Sequence, residues 1–263
     1  MTISGVWKMN IQGSVALITG ANGGLGTEFI KALLAAGVGK IYACARRIDA
    51  LNATVQLDPS RVVAVQVDVT KPAEVEAAAK QCTDVTLLFN NAGVSKDQGV
   101  ISAPNMDGVR AEMETNFFGT MAMCRAFAPV LKANGGGAII NIVSLLGKIN
   151  LPFMGTYSCT KAAELSLTQC VRAELAGQKT LVIGVMPGTI DTKFAVLYPD
   201  PKVAPEEVVR ATLQAIVDEE EDIYPGEQAT YVAGALLQDP KAVEKQLAGM
   251  LPGFLEQLQQ QKG

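Results

Sequence analysis

Six short runs rich in Val and Ile recur along this chain, most of them followed by a stretch with the length and spacing of a helix. The runs are Val15–Thr19, Ile41–Ala45, Val62–Val67, Thr86–Phe89, Ala138–Val143 and Leu181–Met186. Segments this short and this continuously apolar read as strands covered on both faces. The stretches Gly24–Ala36, Pro72–Gln81, Met106–Lys132, Phe153–Ala176 and Pro205–Glu219 read as helices, with Gly177 a stop for the fourth. That order leaves few folds open, and the expectation is an α/β, doubly wound parallel sheet with right-handed crossovers. Met106–Lys132 is one helix or two, and Pro129 near its end is a place for a kink. After Pro225-Gly226 the pattern turns helical, over Gln228–Leu237 and Lys241–Gln261, the latter broken at Pro252-Gly253. The 263 residues therefore read as a single domain, 1–263, with an N-terminal extension (1–10) and a helical C-terminal segment (225–263).

Composition removes several classes of function. With 49% apolar and 18% charged residues the chain has ample material for a core. A net charge of −4 without a Lys/Arg run gives no footprint for nucleic acid or an anionic membrane. No apolar run approaches the roughly 18 residues of a membrane span, and the first ten residues lack a leader pattern. The five cysteines are scattered without a C-x-x-C, which suggests reduced thiols, a cytoplasmic location and no metal site. There is no histidine. Ser-His-Asp hydrolysis, H-E-x-x-H chemistry and His-assisted hydride transfer are thereby excluded. Acid–base work falls to a perturbed Tyr, Lys, Cys or carboxylate.

Tyr157 and Lys161 stand four apart on a helical pattern and so share a face. An ammonium beside a phenol favours phenolate, with a downward shift of about two or three units expected from one close cation. Ser144 lies thirteen residues before Tyr157. A second pair, Tyr198 and Lys202, has Pro199 and Pro201 between its members and no Ser at the same distance, so it lacks the helix. At the end of the first run, Gly20, Asn22, Gly24, Leu25 and Gly26 form a glycine-rich turn opening a helix, suited to the close approach of a pyrophosphate. Asp68-Val69, Asn90-Asn91-Ala92-Gly93, Ser144 and Pro187-Gly188 sit at the ends of four other runs, on the rim where open α/β sheets bind ligands.

In these motifs, from about Ile11 to Thr192, the chain resembles the short-chain dehydrogenase/reductase family. The resemblance implies a Rossmann-type fold, a nicotinamide cofactor and metal-free interconversion of carbonyl and alcohol. It implies that Tyr157 exchanges a proton with the substrate oxygen and that Ser144 hydrogen-bonds that oxygen. Lys161 would lower the Tyr157 pKa and hold the nicotinamide ribose, and Asn116 would hold a water relaying protons to Lys161. Asp68 and Val69 would meet the adenine, Asn91, Ala92 and Gly93 the adenosine side, and Ile190 and Thr192, after Pro187 and Gly188, the nicotinamide amide. Where NAD-preferring relatives carry Asp, this chain has Ala45, followed by Arg46 and Arg47. Arginine there suits a 2′-phosphate, so NADP(H) is the preferred cofactor and NAD(H) a possible one.

Leu145, Leu146, Leu151, Phe153, Met154, Phe194 and Tyr198 flank the catalytic set and are nearly all apolar. As pocket walls they suit a neutral, fairly hydrophobic ketone, aldehyde or secondary alcohol. The short stretch between Gly188 and Pro205 suggests an open, permissive site. Two other readings stand beside this one. A reductase of carrier-bound 3-oxoacyl thioesters would need a basic docking surface, with Arg125 and Arg172 as candidates. A nucleotide-sensing or scaffold protein would keep the fold without turnover. The helical C-terminal segment replaces the strand and glycine-rich tail of many relatives, which leaves monomer, dimer and tetramer open.

Overall fold

The computed structural model describes residues 9–195 and 201–251, the Phe194 side chain excepted. Seven strands form one sheet: β1 (Val15–Thr19), β2 (Lys40–Ala45), β3 (Val62–Gln66), β4 (Leu87–Asn90), β5 (Gly137–Ile142), β6 (Thr180–Val185) and β7 (Asp222–Ile223). Their order is β3-β2-β1-β4-β5-β6-β7, and every pairing is parallel. The helices are α1 (Gly24–Ala35), α2 (Asn52–Val55), α3 (Pro72–Gln81), α4 (Asp107–Met113), α5 (Thr120–Ala133), α6 (Gly155–Leu175), α7 (Pro205–Asp218), α8 (Glu227–Gln238) and α9 (Pro240–Ala248). This is the doubly wound, Rossmann-type α/β architecture expected of the chain.

The period-two alternation of each strand supplies two cores. Ile18, Ile41, Phe89, Ile140 and Ile183 point to one face, where Phe29, Ile30 and Leu33 of α1 and Val208 and Ile216 of α7 cover them. Leu17, Cys44, Leu88, Ile139 and Val182 point to the other, against Val75 of α3 and Met123, Phe127 and Leu131 of α5. Both faces are buried, which is why the runs read as continuously apolar. The strand order reverses direction between β1 and β4, so a crevice opens at their C-terminal ends.

Four features depart from the sequence expectation. Met106–Lys132 is neither one regular helix nor two separate ones: a π turn, Glu114–Gly119, joins α4 to α5. Pro129 lies inside α5, which runs on to Ala133. The α6 helix does not stop on Gly177. It ends through a tight turn, Ala176–Gln178, and the left-handed residue is Lys179 at φ 56°, whose carbonyl then receives Gly137 N at 3.0 Å beside β5. Finally, Asp222–Ile223 adds a seventh strand, two residues being too few for any periodic signal.

Candidate active site

A cavity of about 1230 Å³ follows the C-terminal edge of the sheet from the β1–α1 turn to the start of α6. Its nucleotide-like end is made of backbone. Gly20 has φ +63°, and a Cβ there would meet Ala92 Cα and Asn91 Nδ2, both at 3.1 Å. A Cβ on Gly24 would come within 3.2 Å of Thr192. Gly23, which precedes α1, provides no side-chain cap, and the first turn carries no acid. The N–H groups of that turn are therefore left for an anion. Thr19 locks the edge: its hydroxyl accepts Asn91 N at 2.9 Å and Ala92 N at 3.0 Å, while Asn91 Nδ2 donates to Thr19 O at 2.9 Å and Gly20 O at 3.2 Å. A cradle with glycines at its closest approaches, joined to a cavity of this length, fits a dinucleotide.

Gly20, Asn22, Gly24, Leu25, Gly26, Arg46, Asp68, Val69, Asn91, Ala92, Gly93, Pro187, Gly188, Ile190 and Thr192 all line this cavity. Arg47 does not. Its guanidinium is paired with Asp49 at 2.7 Å on the open surface, so the two arginines grouped in the sequence part company in the fold. Arg46 has no ion-pair partner among the described residues. Asp68 is held by Thr70, whose N and Oγ1 donate to it at 3.1 and 2.7 Å.

At the other end, α6 presents Tyr157, Lys161 and Glu164 on one buried stripe, at i, i+4 and i+7. Lys161 Nζ lies 5.6 Å from the centre of the Tyr157 ring. It donates to Ile142 O at 2.8 Å and to Glu164 Oε2 at 2.6 Å. Ser144, just beyond β5, accepts Leu146 N at 3.1 Å and also hydrogen-bonds Tyr157. Asn116 is in the π turn, fully buried and off the cavity wall. Its Nδ2 donates to Val94 O and Thr160 Oγ1, and its Oδ1 accepts Val94 N, each at 2.9 Å. A Cβ on Gly93 would stand at ordinary contact distance, 3.5 Å from Asn116 Oδ1 and 3.9 Å from Lys161 Nζ, so Gly93 borders both groups. Behind them a buried polar chain fixes α6 to the sheet: Asn90 Nδ2 donates to Asn141 at 2.8 Å, and Asn141 Nδ2 to Thr168 at 2.9 Å.

The electrostatics correct one expectation. Lys161 does pull the Tyr157 phenol toward ionisation, as does Ser144. Burial is the largest influence, however, and it and Glu164 push the other way, leaving Tyr157 above the ordinary phenol value. For Lys161, burial opposes the ammonium, yet Glu164 and Tyr157 more than offset it and the net direction is upward. Burial pushes the Glu164 carboxyl up against the pull of Lys161 and Thr120. Burial also drives Cys124 and Cys82 up to about 12 and Cys44 well up, which removes these thiols as neutral-pH nucleophiles.

Leu145, Leu146, Leu151, Phe153 and Met154 line the substrate side; the Phe194 side chain and Tyr198 lie outside the described residues. The C-terminal helices were missed as part of this wall. Gln228, Tyr231 and Val232 of α8, and Gln246, Leu247 and Met250 in and after α9, also line the cavity. No local motif marks them, because only the tertiary path brings them there. Glu164 was missed too, although its i+3 spacing from Lys161 is visible. An acid on a helix reads as solvated until burial is known.

A family model described as short chain dehydrogenase matches residues 14–200. Among solved structures, a short chain dehydrogenase from Burkholderia cenocepacia J2315 in complex with NADP is similar, at 44% identity and TM-score 0.87, over 91% of this chain and 99% of that one. A short chain dehydrogenase/reductase from Burkholderia phymatum in complex with NAD gives 26% and 0.79, over 89% and 96%. Dehydrogenase/reductase SDR family member 7B of Mus musculus is 35% identical over 200 residues, 72% of this chain and 61% of that protein. The chain thus spans about three fifths of the length of this curated relative.

Proposed function

Since the chain belongs to the short-chain dehydrogenase/reductase family, we propose that it is an NADP(H)-preferring oxidoreductase acting on neutral, fairly hydrophobic ketones, aldehydes or secondary alcohols. The observation that carries the cofactor choice is Arg46. It lines the cavity, without an ion-pair partner among the described residues, beside Ala45 where an acid would repel a 2′-phosphate. The NADP-bound neighbour from Burkholderia cenocepacia supports this reading, and the NAD-bound one keeps NAD(H) as a poorer substitute. When bound, the nicotinamide supplies or takes the hydride.

The chain's own residues do the rest. Ser144 orients the substrate oxygen and stabilises the charge that develops on it. Tyr157 gives its proton to that oxygen in reduction and takes one back in oxidation. Lys161 spends two of its three N–H donors on Ile142 O and Glu164, which leaves one for ribose hydroxyls in the cleft. Asn116 braces the Val94 strand-end loop against α6, and the water-holding role implied for it would be added to this bracing. Leucine, phenylalanine and methionine walls suit a substrate without charge. The thioester reading loses one docking candidate. Arg172 is occupied by Val182 O at 3.0 Å and Asp222 at 2.8 Å, though Arg125 remains.

A cofactor-depletion screen over neutral ketones and aldehydes, their carboxylate analogues and carrier-bound 3-oxoacyl thioesters tests the reading. Consumption of NADPH faster than NADH, with neutral apolar carbonyls best, is expected. Turnover confined to carrier-bound thioesters, or a preference for NADH, would overturn it.

A further inference from the structure

Glu112 is fully buried on α4 and takes no part in the chemistry proposed above. Its Oε1 accepts Lys96 N at 2.6 Å, while its Oε2 has no hydrogen-bond partner among the described residues. Burying an acid with one oxygen unpaired is costly, so the group it holds must matter to something other than stability. Lys96 belongs to residues 94–100, a strap that crosses from α4 to the start of α6. Both helices present bare backbone to it. A Cβ on Gly108 would stand 2.6 Å from Gln98 Nε2, and one on Gly155 would stand 2.9 Å from Val100 Cγ2. Asn116, one turn beyond Glu112, holds Val94 at the near end of the strap. At the far end, Gln98 O accepts both Thr156 N and Thr156 Oγ1, each at 3.3 Å. Helix α6 has no side-chain cap, so this carbonyl stands opposite its first turn and satisfies one of the free N–H groups there. The next residue along α6 is Tyr157.

We propose that Glu112 is a positioning residue for Tyr157: by holding Lys96 N it fixes the strap, and the strap, through Gln98 O and Thr156, fixes the start of α6 and so the place of the Tyr157 hydroxyl in the cavity. The inference rests on Tyr157 being the proton donor of the reaction proposed above. What the strap needs from position 112 is an acceptor oxygen at the right reach, and the oxygen of an amide serves as well as that of an acid. An apolar side chain of similar shape relieves the buried acid but lets the strap go. Stability and turnover therefore respond in opposite directions at this position, whereas a side chain that only supported the fold would move both together.

Glu112→Met removes the acceptor and Glu112→Gln keeps it. Amide hydrogen exchange on the full chain, read by peptide mass spectrometry, follows the strap and the start of α6 without any substrate. In Glu112→Met, exchange should quicken about ten-fold or more both across residues 94–100 and in the peptide containing Thr156, with an unchanged or higher Tm. The kcat for reduction of a neutral ketone should fall about ten-fold or more, with KM and NADPH affinity unchanged. Glu112→Gln should restore slow exchange and kcat together. Wild-type exchange at Thr156 in Glu112→Met, a wild-type kcat in that variant, or a Glu112→Gln as impaired as Glu112→Met overturns the inference. If Glu112→Met does not fold, Glu112→Asp takes its place, since it keeps the acid but draws the oxygen back by one methylene. The same gains in exchange are then expected, and their absence overturns the inference. Because exchange needs no carbonyl, a chain that reduces nothing yet shows the coupled exchange would sink the functional reading alone. An active chain whose exchange and kcat ignore Glu112→Met would sink this inference alone.

Discussion

A methyl group added at Gly26 would stand 2.9 Å from Ala21 Cα and overlap the Gly20 carbonyl. These are backbone atoms, which cannot swing aside. Gly26→Ala should cost about 1–3 kcal/mol and lower both Tm and NADPH affinity, as thermal melts with and without cofactor would reveal. Tyr157 fixes the pH behaviour. Burial holds its pKa above the ordinary phenol value, so the protonated form that the proposed reduction would consume is present at neutral pH and is lost only as pH rises through the raised value. NADPH-dependent reduction should stay flat through neutrality and fall in the alkaline range, and alcohol oxidation should rise over that same window. Steady-state rates across pH check both limbs. That Tyr157 and Lys161 share a face was legible because helical spacing is a one-dimensional fact; the place of Ser144 and the roles proposed for all three came from the resemblance. Glu164 was equally spaced but illegible, since its meaning depends on having no water around it.

Helix α6 can carry a proton donor only if it cannot slide, and its anchors are polar rather than apolar. Asn90, Asn141 and Thr168 link β4, β5 and α6 in the interior. Asn141→Ala would leave Asn90 Nδ2 with only the Cys124 sulfur at 3.4 Å. A loss of about 1–3 kcal/mol in urea unfolding is expected, with turnover falling as α6 loosens. The same interior explains the π turn at Glu114–Gly119. Within that turn Asn116 meets Val94 and Thr160 together, and π turns recur at functional sites. Strand and helix runs could be read from apolar patterning because both sheet faces are covered. The π turn, the two-residue β7 and the left-handed Lys179 could not, because each is imposed by a neighbour distant in sequence.

The sheet, its switch point and the backbone cradle follow from the strand–helix order. The closing wall of the cavity does not: it comes from α8 and from residues in and after α9, beyond the matched region 14–200. The stretch after Gly188 was expected to leave the site open, yet Leu247 and Met250 reach the cavity from the chain's far end. Leu247→Ala with Met250→Ala should lower kcat/KM about ten-fold for bulky ketones, by loss of about 1–2 kcal/mol of apolar contact, and leave small ketones nearly unchanged. Competition kinetics between a large and a small ketone reads the difference directly. No helix among the described residues is long and apolar enough to cross a membrane. On the proposed function, one buried phenol, flanked by Lys161 and Ser144, hands a proton to a carbonyl beside a bound nicotinamide. The most direct measurement is NADPH binding and NADPH consumption with a bulky neutral ketone, in wild type and Tyr157→Phe. Equal binding and a fall in turnover of about 10²–10⁴-fold in the variant are expected. A variant that turns over as fast as wild type, or a wild type that binds NADPH and reduces no carbonyl, would contradict it.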